Sequence, residues 1–204
     1  MEGNSYQLKT TYMDQTTQDN LLNALETALG SFELIRNDAV GPTIGAELLR
    51  SGLIALVIAI LLMVVYIAFR FELKFAIAGI IALVHDVMVV ISLFSIFQLE
   101  VDSSFIAAVL TIFGYSINDT IVIFDRIREN LHKVKKDELQ GVINHSIKQS
   151  LTRSINTSVS TLILLLALFF FGGETTKVFV LALIIGITAG AYSSIFVASP
   201  LWFD

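Results

Sequence analysis

Residues Ser104–Asn130 run SFIAAVLTIFGYSINDTIVIFDRIREN. Ser104–Phe124 holds a single charged residue, Asp119, and Asp125, Arg126 and Arg128 follow at once. A helix needs about 20 apolar residues to cross a bilayer core about 30 Å thick. The segment therefore predicts a membrane span with one carboxylate inside it. Charge at membrane depth is costly and usually faces the protein interior. Thr111, Tyr115 and Asn118 precede Asp119 at spacings of four and three, so they form a polar stripe with Asp119 at its edge. At about 1.5 Å per residue, Asp119 lies roughly 9 Å inside Asp125.

Four further segments have the same character: Ser51–Phe69, Phe75–Phe97, Ile155–Phe171 and Val178–Ala198. Of the 204 residues, 55% are hydrophobic and 15% charged, and mean hydropathy is +0.77. Ordinary soluble domains carry about 25% charged residues, so that class is excluded, and disorder with it. The expected fold is an all-α polytopic membrane bundle of five transmembrane helices with a partial α/β extracytoplasmic segment at the N-terminus. There is no Cys, which excludes disulfides and thiolate metal sites. No cofactor is expected. The basic residues form no extended stripe outside one loop, so no nucleic-acid partner is expected.

Basic residues bias cytoplasmic loops. Arg70 and Lys74 flank the first short connection, and Arg126, Arg128, Lys133, Lys135, Lys136, Lys148 and Arg153 crowd Asp125–Ser154. Gln98–Ser103 has no Lys or Arg, and Gly172–Lys177 has only Lys177. This predicts residues 1–50 outside and the C-terminus inside. Met1–Gly30 lacks a basic region followed by an apolar run, so the sequence is expected to be a piece of a longer protein.

Residues 1–40 read as a partial α/β domain, 41–50 as a linker and 51–204 as the membrane domain. Tyr6, Leu8, Thr10 and Tyr12 alternate as in a half-buried strand. Leu21, Leu22, Leu25, Ala28 and Leu29 recur at helical spacing, with Thr16 or Thr17 as N-cap and Gly30 as terminator. Phe32–Arg36 reads as a second short strand. Val40–Leu48, VGPTIGAEL, reads as a shaped connection that couples the outer segment to the first span.

His85 and Asp86 lie near the middle of the second span. No second His or carboxylate recurs at i+3 or i+4, so no metal site is expected. Arg153, Asn156, Thr157 and Ser160 share a face at the start of the fourth span, and Arg153 can neutralise Asp119 if the two stripes meet. Gly186-Ile187-Thr188-Ala189-Gly190 has the small-xxx-small spacing that admits a close helix neighbour. Val142, Ile143, Ile147 and Leu151 oppose Asn144, His145, Lys148 and Gln149, which reads as an amphipathic helix lying at the anionic leaflet.

Ser104–Asn130 closely resembles the fourth membrane helix of SecF protein-export subunits, members of the SecD/SecF family in the RND superfamily. Gly114-Tyr115-Ser116-Ile117-Asn118-Asp119-Thr120 and Asp125-Arg126-Ile127-Arg128-Glu129 carry the likeness. Val40–Leu48 resembles the family's VGPxxGxEL segment, and Leu151–Ser158, LTRSINTS, its next-helix signature. The resemblance runs through nearly the whole chain from about Val40.

It implies a six-helix protein with an extracytoplasmic domain between its first two helices, of which this chain holds the last five helices and the end of that domain. It implies a SecD partner, separate or fused as SecDF, and the SecYEG translocon, preprotein, protons and membrane lipids of the bacterial cytoplasmic (inner) membrane. By motif the proton-coupling carboxylate and arginine fall on Asp119 and Arg153. Tyr115, Asn118, Thr157, Ser160 and Asp86 are expected as supporting polar groups. The implied activity is proton-driven assistance to preprotein translocation, which makes no covalent bond and is not enzymatic. The alternatives are an RND-type exporter of small molecules or lipids and a non-transducing membrane scaffold.

Overall fold

The computed structural model describes residues 6, 8, 10, 12–35, 42–71, 73–99, 101, 103–131 and 139–203. The chain divides into two compact units, Met1–Leu53 and Ile54–Asp204.

In the first unit, helix α1 spans Gln15–Leu29. Its N-cap is Asp14 rather than Thr16 or Thr17; those two hydroxyls donate to the Asp14 carboxylate instead. It stops at Gly30, whose φ of 86° favours a residue without Cβ and whose N–H returns to the Glu26 carbonyl at 3.0 Å. Among the described residues there is no strand. Tyr6, Leu8, Thr10, Tyr12 and residues 32–35 have no regular structure, which corrects the expected strands at Tyr6–Tyr12 and Phe32–Arg36 where they are described; Arg36 lies outside the described residues. The reason is that an alternating pattern shows a face but supplies no ladder, and an isolated strand pair is marginal in water.

Helix α2, Pro42–Arg70, begins within the expected linker and continues through the first predicted span. Pro42 suits the first helical position, where its missing N–H loses nothing.

The second unit continues α2 and adds α3 (Leu73–Ile96), α4 (Ser103–Leu131), α5 (Leu139–Phe171), α6 (Glu174–Ser193), a π-helical turn at Ser194–Ala198 and α7 (Ser199–Phe203). Among the described residues, five helices are long and apolar enough to cross a membrane. α4 packs against α3, α5, α6 and α7. Its closest neighbour is α6, and two glycines make that approach possible. A Cβ on Gly190 would lie 2.9 Å from the Ser116 Cβ, and one on Gly186 would overlap the Ile112 side chain. The small-xxx-small spacing is thus used against α4.

Phe75 of α3 anchors the core, edge-on to Phe124 at 4.9 Å and stacked on Trp202 of α7 at 4.7 Å. At the adjacent helix ends, Arg128 Nη1 donates to the Arg70 carbonyl at 2.7 Å, and Arg70 pairs with Asp125 at 3.4 Å. Both guanidinium groups lie over the Phe71 ring, at 5.5 and 5.7 Å.

Residues 142–151 do not form a separate surface helix. They are the opening turns of α5, a single helix of 33 residues. Val142 and Ile143 are buried, and Ser146 Oγ meets Asn130 Nδ2 of α4 at 2.9 Å. An amphipathic pattern shows that one face is covered. Here the cover is protein rather than lipid.

Candidate functional site

Asp119 projects from α4 into the junction of α4, α5 and α6 and is 7% exposed. Its one described hydrogen-bond donor is Ser158 of α5, at a long 3.4 Å from Oδ2. Beside it is a cavity of about 10 Å³, lined by Tyr115, Asn118, Asp119, Thr157, Ser158 and Ile187 among others. That is about the room one water needs. The mixed lining, with hydroxyl, amide and carboxylate groups, suits a small polar guest.

Four of the expected site residues therefore meet: Tyr115, Asn118, Asp119 and Thr157. Thr157 Oγ1 donates to the Arg153 carbonyl at 2.9 Å. Ser160 does not line the cavity; it is exposed and donates to the Asn156 carbonyl at 2.7 Å. This bond to the previous turn is the usual way a helical serine satisfies its hydroxyl. Arg153 is also exposed. Ion pairs join Arg70 to Asp125, His85 to Asp86 and Arg126 to Glu129, and among the described residues none joins Asp119 to Arg153.

Asp86 occupies a different place. It is 0% exposed on α3. Ser116 Oγ of α4 and Ser193 Oγ of α6 both donate to Oδ2, the latter at 2.8 Å. His85 Nδ1 lies 3.1 Å from Oδ1. The adjacent pair thus bonds within itself, while His85 stacks at 6.4 Å on Tyr192. One carboxylate joins three helices.

Ser158, Ser116 and Ser193 are functional-site partners that the sequence reading did not single out. Ser116 sits inside the Gly114–Thr120 motif, and Ser193 lies one turn beyond the Gly186–Gly190 spacing. Among the described residues, no group of three or more His, Cys, Asp or Glu side chains is placed to hold a metal.

Residues 20–204 match the family described as protein export membrane protein SecD/SecF, C-terminal. The chain belongs to this SecD/SecF family. It is 48% identical over 201 residues to the protein translocase subunit SecF of Sebaldella termitidis, covering 98% of this chain and 65% of that one. It is 52% identical over 172 residues to the SecF subunit of Alicyclobacillus acidocaldarius, covering 82% and 56%. The crystal structure of SecDF from Thermus thermophilus, a translocon-associated membrane protein, superposes with a TM-score of 0.84 at 41% identity, covering 93% of this chain and 26% of that one. SecDF in its super-membrane-facing form superposes with a TM-score of 0.75 at 37% identity, with the same coverage. This SecD/SecF chain thus spans less than two thirds of the length of these two SecF relatives. Its membrane-crossing helices fit a family of membrane proteins, and the Asp119 cavity lies among three of them.

Proposed function

We propose that this chain is the membrane part of an accessory subunit of the Sec protein-export machinery, working with a SecD partner beside the SecYEG translocon. It uses the proton gradient across the bacterial inner membrane to drive conformational cycles that help preprotein across. The observation that carries the reading is Asp119, a buried carboxylate with a single long hydrogen bond and a water-sized cavity at its side. A carboxylate so placed has little to hold it in one protonation state. Protonation removes the charge that Arg153 acts upon, and α4, α5 and α6 repack around the neutral group. No covalent bond in the preprotein changes, so the activity is transport.

Residues 1–50 lie outside and the C-terminus inside, as the basic loops favour.

One charge crossing about 100 mV gains about 2.3 kcal/mol. Switching a two-state element from about 1:99 to 99:1 takes about 5.5 kcal/mol. A single proton therefore biases a nearly balanced equilibrium and does not drive a lopsided one.

The test is preprotein export in membrane vesicles carrying Asp119→Asn or Arg153→Met, with complex assembly measured in parallel. Both variants should assemble and lose the part of export that depends on the proton gradient. Wild-type export by both would leave a scaffold as the better reading.

A further inference from the structure

Serine recurs at every fourth position along α5: Ser146, Ser150, Ser154 and Ser158. All four are buried. This spacing keeps them on one face, and 12 residues of helix rise about 18 Å. At one end, Ser158 donates to Asp119 beside the water-sized cavity. At the other, Ser146 Oγ accepts from Asn130 Nδ2 at 2.9 Å, and Asn130 also donates to Gln149 Oε1 at 3.0 Å. Gln149 Nε2 in turn lies 2.8 Å from Nε2 of His145, an exposed ring. A line of polar groups thus runs from the Asp119 carboxylate to the surface at the Asn130 end of α4.

Between these ends, Ser150 Oγ returns to the Ser146 carbonyl at 3.1 Å. Ser154 is different. It is 2% exposed, and its hydroxyl has no hydrogen-bond partner among the described residues. Close helix packing accounts for small side chains in a seam, and alanine would serve that purpose. It does not account for four hydroxyls in register, one of them buried and unmatched. Buried polar atoms are nearly always satisfied, by protein or by water.

We propose that the α4–α5 seam is the proton route between Asp119 and the Asn130 end of the bundle, with the four serine hydroxyls and intervening water as relays and Ser154 as its closing point. The proposal rests on the proton-coupled reading above. Successive hydroxyls stand about 6 Å apart, too far for one hydrogen bond and right for two of about 2.9 Å through a water. Each hydroxyl takes a proton on its lone pair and gives its own to the next water, so every serine ends neutral and one proton has moved. Water reaches Ser154 when α5 shifts away from α4. Arg153, next to Ser154 on α5, and Arg126 on α4, whose carbonyl lies 3.4 Å from Ser146 Oγ, both have exposed side chains, and Arg126 pairs with Glu129 at 2.7 Å.

The experiment is proton entry into proteoliposomes of the whole complex under an imposed pH gradient, read by a trapped pH-sensitive dye. Ser154→Ala and the double variant Ser150→Ala/Ser154→Ala keep the packing volume and remove the hydroxyls. Proton entry should slow by about tenfold, the scale of one lost buried hydrogen bond, with the thermal midpoint in detergent unchanged. Ser154→Thr restores a hydroxyl and should recover part of the rate. Wild-type entry in both alanine variants, with Asp119→Asn inactive, overturns the ladder and leaves the proton-coupled reading standing. Wild-type entry in Asp119→Asn as well overturns both. A lowered midpoint that tracks the slowed rate in the alanine variants, with no recovery in Ser154→Thr, shows a packing role and overturns the ladder.

Discussion

Two carboxylates are buried in the same bundle, and they are held in opposite ways. Asp86 is sealed from solvent and takes hydroxyls from α4 and α6 together with the neighbouring His85 ring. Asp119, one turn beyond Ser116 on α4, has one long bond from Ser158 and an adjoining cavity. A carboxylate that receives several donors is fixed in geometry. One that receives a single weak donor is free to exchange a proton and to let its neighbours move. Under the proposed function, Asp86 holds the helices and Asp119 lets them move.

The comparison breaks most sharply in stability. Asp86→Leu strands the Ser116 hydroxyl, at about 1–3 kcal/mol for an unsatisfied buried group, and leaves that of Ser193 only a 3.3 Å bond to the Gly190 carbonyl. Asp119→Leu strands one poorly bonded hydroxyl and removes a buried charge, so it should be close to neutral. Thermal unfolding in detergent separates them, and equal losses would end the distinction. Next in size, Gly190→Leu forces a side chain into Ser116 and strains both sites through α4, for about 1–3 kcal/mol. The same melt should show it, and an unchanged midpoint would mean that the α4–α6 approach is looser than described.

Smaller effects sharpen the contrast. Ser193→Ala removes a 2.8 Å bond and should cost about 1 kcal/mol, whereas Ser158→Ala removes a 3.4 Å bond and should cost less. The reverse order in a paired unfolding measurement would argue against Asp86 as the anchor. The least consequence for the fold belongs to Asp14, which separates hydroxyl donation from burial. The Thr16 hydroxyl first, then that of Thr17, holds its fully exposed carboxyl below the usual carboxylate range. Its folded value is the lower one. The support it gives α1 is therefore complete above the ordinary carboxylate pKa and is lost as pH falls through the depressed value. A carbon-detected NMR titration should place its midpoint below that of a free aspartate; a midpoint at or above it removes the hydroxyl effect.

Much of this architecture is legible in the chain. Long apolar runs mark five spans because the bilayer sets a length that few other structures need. Asp119 stands out because charge within such a run is rare. Ser116, Ser158 and Ser193 do not stand out, since serine occurs in helices for size, for bonding to the previous turn and for partners across a seam alike. Only the packing of α3, α4, α5 and α6 tells these uses apart. The interfacial reading of residues 142–151 failed for a related reason: Val142 and Ile143 specify an apolar neighbour without naming it. The strands near Tyr12 and Phe32 needed pairing partners that alternation cannot supply.

The π-helical turn at Ser194–Ala198 has a consequence for length variation. Such a turn places one residue more than an α-helical turn in the same rise, and each residue advances the helix face by about 100°. Ser193 before it addresses Asp86, and Trp202 after it stacks on Phe75. Winding the same residues as an even α-helix would swing everything downstream by that angle, carrying Trp202 off its ring, whereas deleting one residue within the turn would leave both ends in phase. The turn acts as a spacer that phases two stretches of one helix by absorbing one residue that an even helix in this place would lack.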